Sequence, residues 1–189
     1  MWPMGHVAIA YLCLVCFDRF QGRTRPDDAA AIIVVFGALF PDLIDKPLAW
    51  YLGVLPTGRS LGHSLVFLIP LCIVIGILAW RFGKPIWGIA FAIGSLSHTL
   101  VDALPVLWRD GESAGFLFWP LVSLEGYGEE GSPSVIVLLT DSMTDPYFLI
   151  EFPLLAIAVI VWVRQGMPGI STIRTILERN GRETRFKSD

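Results

Sequence analysis

The chain has 189 residues, of which 54% are hydrophobic and only 16% are charged, and its formal net charge is −3. A soluble domain usually has about a quarter of its residues charged, so this composition excludes an ordinary soluble domain and favours a polytopic membrane protein in one compact bundle. The charge leaves no basic surface for nucleic acid, and we expect no such partner. Three cysteines, all within apolar runs, argue against a disulfide framework.

Hydropathy predicts an all-α fold with about five membrane-embedded helices. The predicted helices cover residues 5–17, 29–44, 61–80, 86–107 and 147–163. The third and fourth approach the roughly 20 residues that cross a bilayer core. Residues 1–164 would then form one membrane-embedded domain with a long acidic loop at 108–146, and a polar tail would follow at 165–189.

Basic residues segregate to alternate loops. Eleven of the fourteen lysines and arginines follow the first, third and fifth predicted helices. Because cytoplasmic loops carry an excess of basic residues, we expect a multi-pass protein of the cytoplasmic (inner) membrane with its N-terminus outside and its C-terminus in the cytoplasm. The loop at 108–146 would lie outside, and membrane lipid is the expected partner.

All three histidines and three of the aspartates stand at the ends of the apolar segments. They are His6, Asp42, Asp45, His63, His98 and Asp102. The predicted topology brings all six to the outer end of the bundle, at the level of the lipid headgroups. Asp42 and Asp45 fall in a predicted turn at 41–45, with Pro41 and Pro47 as helix breakers. Ionisable groups that border a membrane segment are costly, so their clustering predicts a functional site.

Three imidazoles and three carboxylates suit Zn²⁺, with Mn²⁺ or Fe²⁺ as alternatives. Six ligands exceed the three that one catalytic zinc usually takes from a protein, so we predict one or two ions. The first would be held by Asp42, His63, His98 and Asp102. The second would be held by His6, Asp45 and Asp102, with Asp102 as the bridge. Such a site activates water and suits hydrolysis of a phosphoester, here of a lipid or lipid-linked substrate because of its location.

Arg59 precedes His63 by four residues and lies on the same side of the membrane. It could clamp a phosphate through paired donors, or its side chain could extend to the membrane interface, and both interpretations stay open. We expect Asp45, Arg59 and Asp102 to take part in catalysis. Ser64 and Ser97 could support the ligands by hydrogen bonds, although close helix packing is favoured.

Two other classes of function remain open at this point. A transporter or channel would place its ionisable groups near the membrane midplane rather than at one end. A non-enzymatic membrane scaffold would keep a structural metal without activity. Cys13 and Cys16 could form a separate redox or metal pair, although buried cysteines usually serve as small apolar residues.

The motif order resembles that of the YdjM/YbcI-type membrane-bound metal-dependent hydrolases, also labelled LexA-binding inner-membrane-associated hydrolases. The resemblance covers roughly residues 5–121. It rests on His6, Pro41-Asp42-x-x-Asp45, Arg59-x-x-x-His63-Ser64, Ser97-His98-x-x-x-Asp102 and the aromatic–proline segment Phe116-Leu117-Phe118-Trp119-Pro120. It implies a metal-dependent hydrolase in the membrane.

The chain departs from this pattern before His63. Gly58, Ser60 and Gly62 stand where the family has His, Gly and Thr, and we expect these changes to affect substrate preference more than metal binding. The ligand order is also remotely similar to that of zinc phospholipase C and P1 nuclease, which implies phosphoester hydrolysis. The later His and Glu ligands of that group have no counterpart after Asp102, so we expect at most two ions.

Overall fold

The computed structural model describes residues 2–107, 113–124, 143 and 146–170. Most of the predicted loop at 108–146 and of the predicted tail at 165–189 lies outside these residues. Within them the fold is all-helical, as predicted, and contains no strand. The five main helices are α1 (Pro3–Phe20), α2 (Asp28–Lys46), α3 (Leu65–Arg81), α4 (Pro85–Ala103) and α5 (Glu151–Arg164).

Each predicted apolar segment corresponds to one of these helices, with ends that differ by a few residues. Four short helical turns lie in two of the connections, one between α2 and α3 and three between α4 and α5. They are a π-helical turn at Pro47–Tyr51, 3₁₀ turns at Leu104–Leu107 and Gly115–Phe118, and one α-helical turn at Pro146–Leu149.

Pro41 lies inside α2 and does not end it. The predicted turn at 41–45 is therefore wrong, although Pro47 does stand at the end of the helix. A proline inside a helix removes one backbone N–H donor, and membrane proteins tolerate this where neighbouring groups satisfy the freed carbonyl. Asp42 and Asp45 consequently project from one continuous helix, three residues apart and on the same side.

Helices α2 and α4 are in direct backbone contact. A β-carbon at Gly94 would lie 2.5 Å from the carbonyl oxygen of Val34, and one at Gly37 would lie 2.7 Å from the carbonyl oxygen of Phe91. Only glycine leaves room for such an approach, and small residues at helix crossings are typical of membrane proteins. The crossing lies one turn before His98, so it sets how close the ends of the two helices come.

The helices alternate in direction. At one end of the bundle α5 begins beside α1, where Oε1 of Glu151 accepts the backbone N–H of Trp2 at 2.8 Å. At the other end α4 begins beside α2, where Nε1 of Trp87 donates to Oδ2 of Asp27 at 3.2 Å. This is the alternation that the sequence predicts, whereas the orientation of the bundle in a membrane stays a prediction.

Two helices, α1 and α4, are long and apolar enough to cross a membrane, and α3 is a shorter apolar helix. The five predicted helices are present, but only these two have the length and composition of a membrane crossing among the described residues, so five crossings are not confirmed. Helix α2 carries Asp42, Asp45 and Lys46 close together near its end. Helix α5 has 14 residues, about 21 Å at 1.5 Å per residue, which is short of the roughly 30 Å of a hydrocarbon core.

Helix α3 presents a row of large apolar side chains to the outside. Ile69, Ile73 and Ile77 are 48%, 56% and 49% exposed. Contiguous apolar surface of this kind marks contact with another apolar phase or protein. It is the surface expected of a helix that faces lipid.

The α2–α4 contact predicts a difference between two glycines. Gly94→Ala should destabilise the protein by about 1–3 kcal/mol because the new methyl group meets backbone atoms. Gly76→Ala should be tolerated, because a β-carbon there would have no atom within 4 Å. Unfolding of both variants by denaturant in detergent micelles, followed by circular dichroism, measures the difference. Equal stability of the two variants would contradict the backbone contact.

Candidate metal centre

Five of the six predicted ligands converge where α2 and α4 end and α1 and α3 begin. Helix α1 supplies one of them, α2 another, the loop before α3 a third, and α4 the last two. Four are buried and one is partly buried, and they are His6, His63, His98, Asp102 and the partly buried Asp42. Residues up to 96 positions apart in the sequence thus meet at one end of the bundle, as the predicted topology requires.

Atoms of two histidines and two aspartates approach one another closely. Nε2 of His63 and Nε2 of His98 are 3.1 Å apart. Oδ1 of Asp42 lies 3.7 Å from each of these nitrogens. Oδ2 of Asp102 lies 3.5 Å from Nε2 of His63 and 3.9 Å from Nε2 of His98. Nitrogen and oxygen ligands about 2.0–2.2 Å from a tetrahedral zinc are about 3.3–3.6 Å from one another, so these five distances are close to those around such an ion.

The opposite nitrogen of each of these two imidazoles is already engaged. Nδ1 of His63 is 2.8 Å from Oδ2 of Asp45, and Nδ1 of His98 is 2.6 Å from the carbonyl oxygen of Ala38. Because a carboxylate and a carbonyl only accept hydrogen bonds, each Nδ1 carries a proton, and in the neutral rings each Nε2 then presents a lone pair. Two such lone pairs at 3.1 Å repel each other unless a proton or a metal cation lies between them. The donor set therefore fits a divalent cation.

The charged groups around His63 also favour a positive charge at this position. Burial alone would lower the pKa of His63, but hydrogen bonds and negative charge from Asp102 and Asp45 outweigh burial and raise this pKa. The surroundings thus favour positive charge at this imidazole.

Both converging carboxylates are held by basic side chains. Nζ of Lys46 binds Oδ2 of Asp42 at 2.6 Å, which leaves Oδ1 facing the imidazoles. Nε of Arg59 lies 3.1 Å from Oδ2 of Asp102. Such outer contacts orient metal ligands and are a usual part of a metal site.

Asp45 belongs to neither of the two groups of converging side chains. Its buried carboxylate accepts the backbone N–H groups of Ser60, Gly62 and His63 at 2.7, 2.7 and 3.2 Å, and it also binds Nδ1 of His63. These bonds use both oxygens, so they assign Asp45 to the positioning of His63 instead of the metal binding that the sequence predicts. The sequence does not show this role, because the hydrogen-bond donors nearest to Asp45 are backbone amides of the loop, and their positions depend on the fold.

The number of ions stays a prediction. Among the described residues, two overlapping groups could hold a metal, His6–His98–Asp102 and Asp42–His63–His98. They share His98, whose one available nitrogen can bind a single ion, so these two groups would not each hold an ion through His98. His6 places Nε2 3.1 Å from Oδ1 of Asp102 and stacks on His98 with ring centroids 3.7 Å apart, and its role as a ligand stays a prediction.

The loop that carries His63 rests directly on α2. A β-carbon at Gly62 would lie 2.7 Å from the carbonyl oxygen of Pro41. Ser64 caps α3, because its Oγ accepts the N–H of Val66 at 3.1 Å, and it also donates to the carbonyl of Trp119. These contacts bring the amides of the loop within reach of Asp45.

Ser97 has the packing role that the sequence favours, and no hydrogen bond joins it to a converging ligand among the described residues. Oγ of Ser97 donates to the carbonyl oxygen of Gly94, one turn earlier in the same helix, at 3.0 Å. Ser97 therefore serves α4 itself and the close crossing with α2.

An aromatic side chain covers the centre. Phe116 is 1% exposed, and its ring meets that of His63 edge-on with centroids 6.1 Å apart. It also lies 6.0 Å from the guanidinium carbon of Arg59. Because Arg59 is 39% exposed, it connects the buried centre with the molecular surface beside this ring.

Sequence reasoning missed Glu151 at the start of α5. It is 2% exposed, Oε1 binds Trp2, and Oε2 has no hydrogen-bond partner among the described residues. A β-carbon at Gly5 would lie 2.7 Å from Oε2, so this carboxylate is packed against the turn of α1 that carries His6. In the sequence, the one sign of this buried carboxylate is that Glu151 is a single acidic residue at the edge of an apolar segment.

Over the described residues, the fold and the centre define an all-helical bundle with two helices apolar enough to cross a membrane and a buried histidine–aspartate group able to hold a metal ion. The chain belongs to the family described as YdjM inner membrane protein, which matches residues 1–171. This confirms the predicted resemblance and supports membrane association. No curated protein and no solved structure matches the chain, so the remote likeness to phospholipase C and P1 nuclease is unsupported.

The different contacts of Asp42 and Asp45 predict different losses of metal. Asp45→Asn should weaken zinc binding by about 10–100-fold and leave the stoichiometry at saturation unchanged, because only the support of His63 is lost. Asp42→Asn should lower the stoichiometry itself. Zinc titration calorimetry with elemental analysis of the purified variants measures both effects. Loss of the ion in Asp45→Asn but not in Asp42→Asn would reverse the assignment.

Proposed function

We propose that this protein is a membrane-bound metal-dependent hydrolase that cleaves a phosphoester of a lipid or lipid-linked substrate. The observation that supports it most is the set of four ligand atoms, 3.1–3.9 Å apart in the pairs given above, with Arg59 beside it. When bound, a divalent cation supplies Lewis acidity and activates water for attack on phosphorus. The ions proposed are Zn²⁺ first, then Mn²⁺ or Fe²⁺.

Arg59 is the residue proposed to bind the substrate phosphate. Its Nε contacts Asp102, and its guanidinium makes no other hydrogen bond within the part of the chain that the structure describes. The terminal nitrogens of a partly exposed guanidinium suit bidentate binding of a phosphate. Contact with Asp102 would bring that phosphate next to the ligand set.

The chain's other residues keep the reacting groups in place. Asp45 fixes the ring of His63, Lys46 fixes Asp42, and Phe116 shields the imidazoles from solvent. Hydrolysis then joins a water oxygen to phosphorus and breaks the bond from phosphorus to the ester oxygen, and a proton released by the water ends on the leaving alcohol. Preorganised ligands and donors contribute most where charge develops on the phosphoryl oxygens.

The location of the centre supports a lipid substrate. The ligands lie at one end of a bundle whose helices α1 and α4 are apolar enough to cross a membrane. A site at the end of such helices would lie at the level of the headgroups, where the phosphate of a lipid is found. We propose that it faces the extracytoplasmic side, as the distribution of basic residues predicts.

A comparison of two aspartates on α2 tests the proposed activity. Asp42→Asn should lower hydrolysis by about 100-fold or more, because a ligand is lost. Asp28→Asn should keep it, since Asp28 lies at the opposite end of α2, beside Arg25. Release of headgroup or phosphate from a phospholipid panel, with Zn²⁺ and with chelator, measures the activity.

Two results would contradict the proposed hydrolase. Bound metal without chelator-sensitive hydrolysis across the panel would favour a scaffold with a structural ion. Metal-dependent ion flux in liposomes without hydrolysis would favour a transporter.

A conservative change at Arg59 separates phosphate binding from metal binding. Arg59→Lys keeps the positive charge but loses the paired donors, so kcat/KM should fall by about 10–100-fold with unchanged metal content. Steady-state kinetics and elemental analysis of the same preparation give both values. Unchanged kcat/KM would favour the alternative interpretation, in which Arg59 only extends to the membrane interface.

A further inference from the structure

An apolar groove runs along the bundle between α1, α2 and α5. Its volume is about 380 Å³, and its walls include Val7, Tyr11, Val35, Leu155, Val159 and Trp162. This volume lies in the range of about 300–1,000 Å³ that is typical of ligand sites.

The groove offers almost no polar group to a ligand. Among its lining side chains, only Tyr11 and Trp162 carry polar atoms. The hydroxyl of Tyr11 donates to Oε1 of Gln165 at 2.7 Å, and Nε1 of Trp162 donates to the carbonyl oxygen of Pro168 at 3.1 Å. With both donors satisfied by neighbouring residues, the walls suit a hydrocarbon chain and give nothing to a polar molecule.

One end of the groove lies on the side of the metal centre. Val7 follows His6 in the chain, and Leu155 lies one helical turn after Glu151. On α2, Val35 precedes Asp42 by seven residues, which is about 10 Å along the helix. A long hydrocarbon chain can span that distance, so a molecule with its phosphoester at the centre would be long enough to reach the groove.

The groove also opens to the side. Val159 is 47% exposed, and Ile170 at the other rim is 43% exposed. Both are apolar, so a hydrocarbon chain can enter laterally from a bilayer without passing through water.

We propose that this groove binds one acyl chain of the substrate, so that the centre acts on a phosphoester that carries at least one long hydrocarbon chain. The inference rests on the proposed hydrolase function, whose substrate class it narrows. In this proposal the α1–α2–α5 groove selects substrates by the length of their hydrocarbon chain, and Arg59 binds their phosphate.

Two valines of α5 provide a matched test. Val159→Phe fills the groove, whereas Val163→Phe adds the same ring at a residue that is 51% exposed and does not line it. The substrates are ethyl phosphate and hexadecyl phosphate in one detergent. The wild type and Val163→Phe should prefer hexadecyl phosphate in kcat/KM, and Val159→Phe should lose about tenfold of that preference. If the wild type hydrolysed both substrates without a preference for chain length, the groove would not bind the acyl chain, but the proposed hydrolase function would be unaffected.

A second measurement does not depend on activity or on folding of a variant. Hexadecyl phosphate with a photoreactive diazirine at the end of its chain is crosslinked to the wild-type protein, with metal and after chelation, and the sites are mapped by mass spectrometry. Crosslinks at the groove residues of α1 and α5 are expected in both conditions. If these crosslinks form but no phosphoester is hydrolysed, the result supports lipid binding in the groove and contradicts the proposed hydrolase function. Crosslinks spread over the outer face of α3 would overturn the groove.

Discussion

The candidate metal centre depends on two imidazole nitrogens held 3.1 Å apart. When both rings are neutral their lone pairs face each other, which is unfavourable by itself and becomes favourable when a cation lies between the nitrogens. Both rings are held from behind by groups of the same helix, since the Ala38 carbonyl and the Asp45 carboxylate both belong to α2. Helix α2 also supplies Asp42, so a single helix supplies or orients three of the four side chains whose distances are given above.

The fold places α2 where it can do this. Its contact with α4 through Gly37 and Gly94 brings His98 beside the Ala38 carbonyl. Its continuation through Pro41 carries Asp45 beneath the loop, where three amides and an imidazole share one buried carboxylate. Bundle packing and the geometry of the candidate centre are therefore coupled, because a shift of α2 against α4 would change the distances between the converging side chains directly.

Much of this architecture could be predicted from the sequence. Hydropathy gives the five helices, and their alternation brings residues as distant as His6 and Asp102 to one end. The role of Asp45 could not be predicted, because a carboxylate three residues from Asp42 suits a metal equally well until the position of the loop amides is known. The helical course through Pro41 likewise depends on tertiary contacts. Glu151 and Lys46 are single charged residues whose partners lie on other helices or one turn away, and only the fold shows which partner each one takes.

The most direct test of the centre is X-ray absorption spectroscopy of the purified protein at the metal edge. A zinc ion bound as described should show only nitrogen and oxygen neighbours at about 2.0–2.2 Å, with scattering from two imidazole rings. Sulfur neighbours at about 2.3 Å would contradict the account, because they would place the ion at Cys13 and Cys16, on α1 away from the histidines. A spectrum without imidazole scattering would contradict it as well.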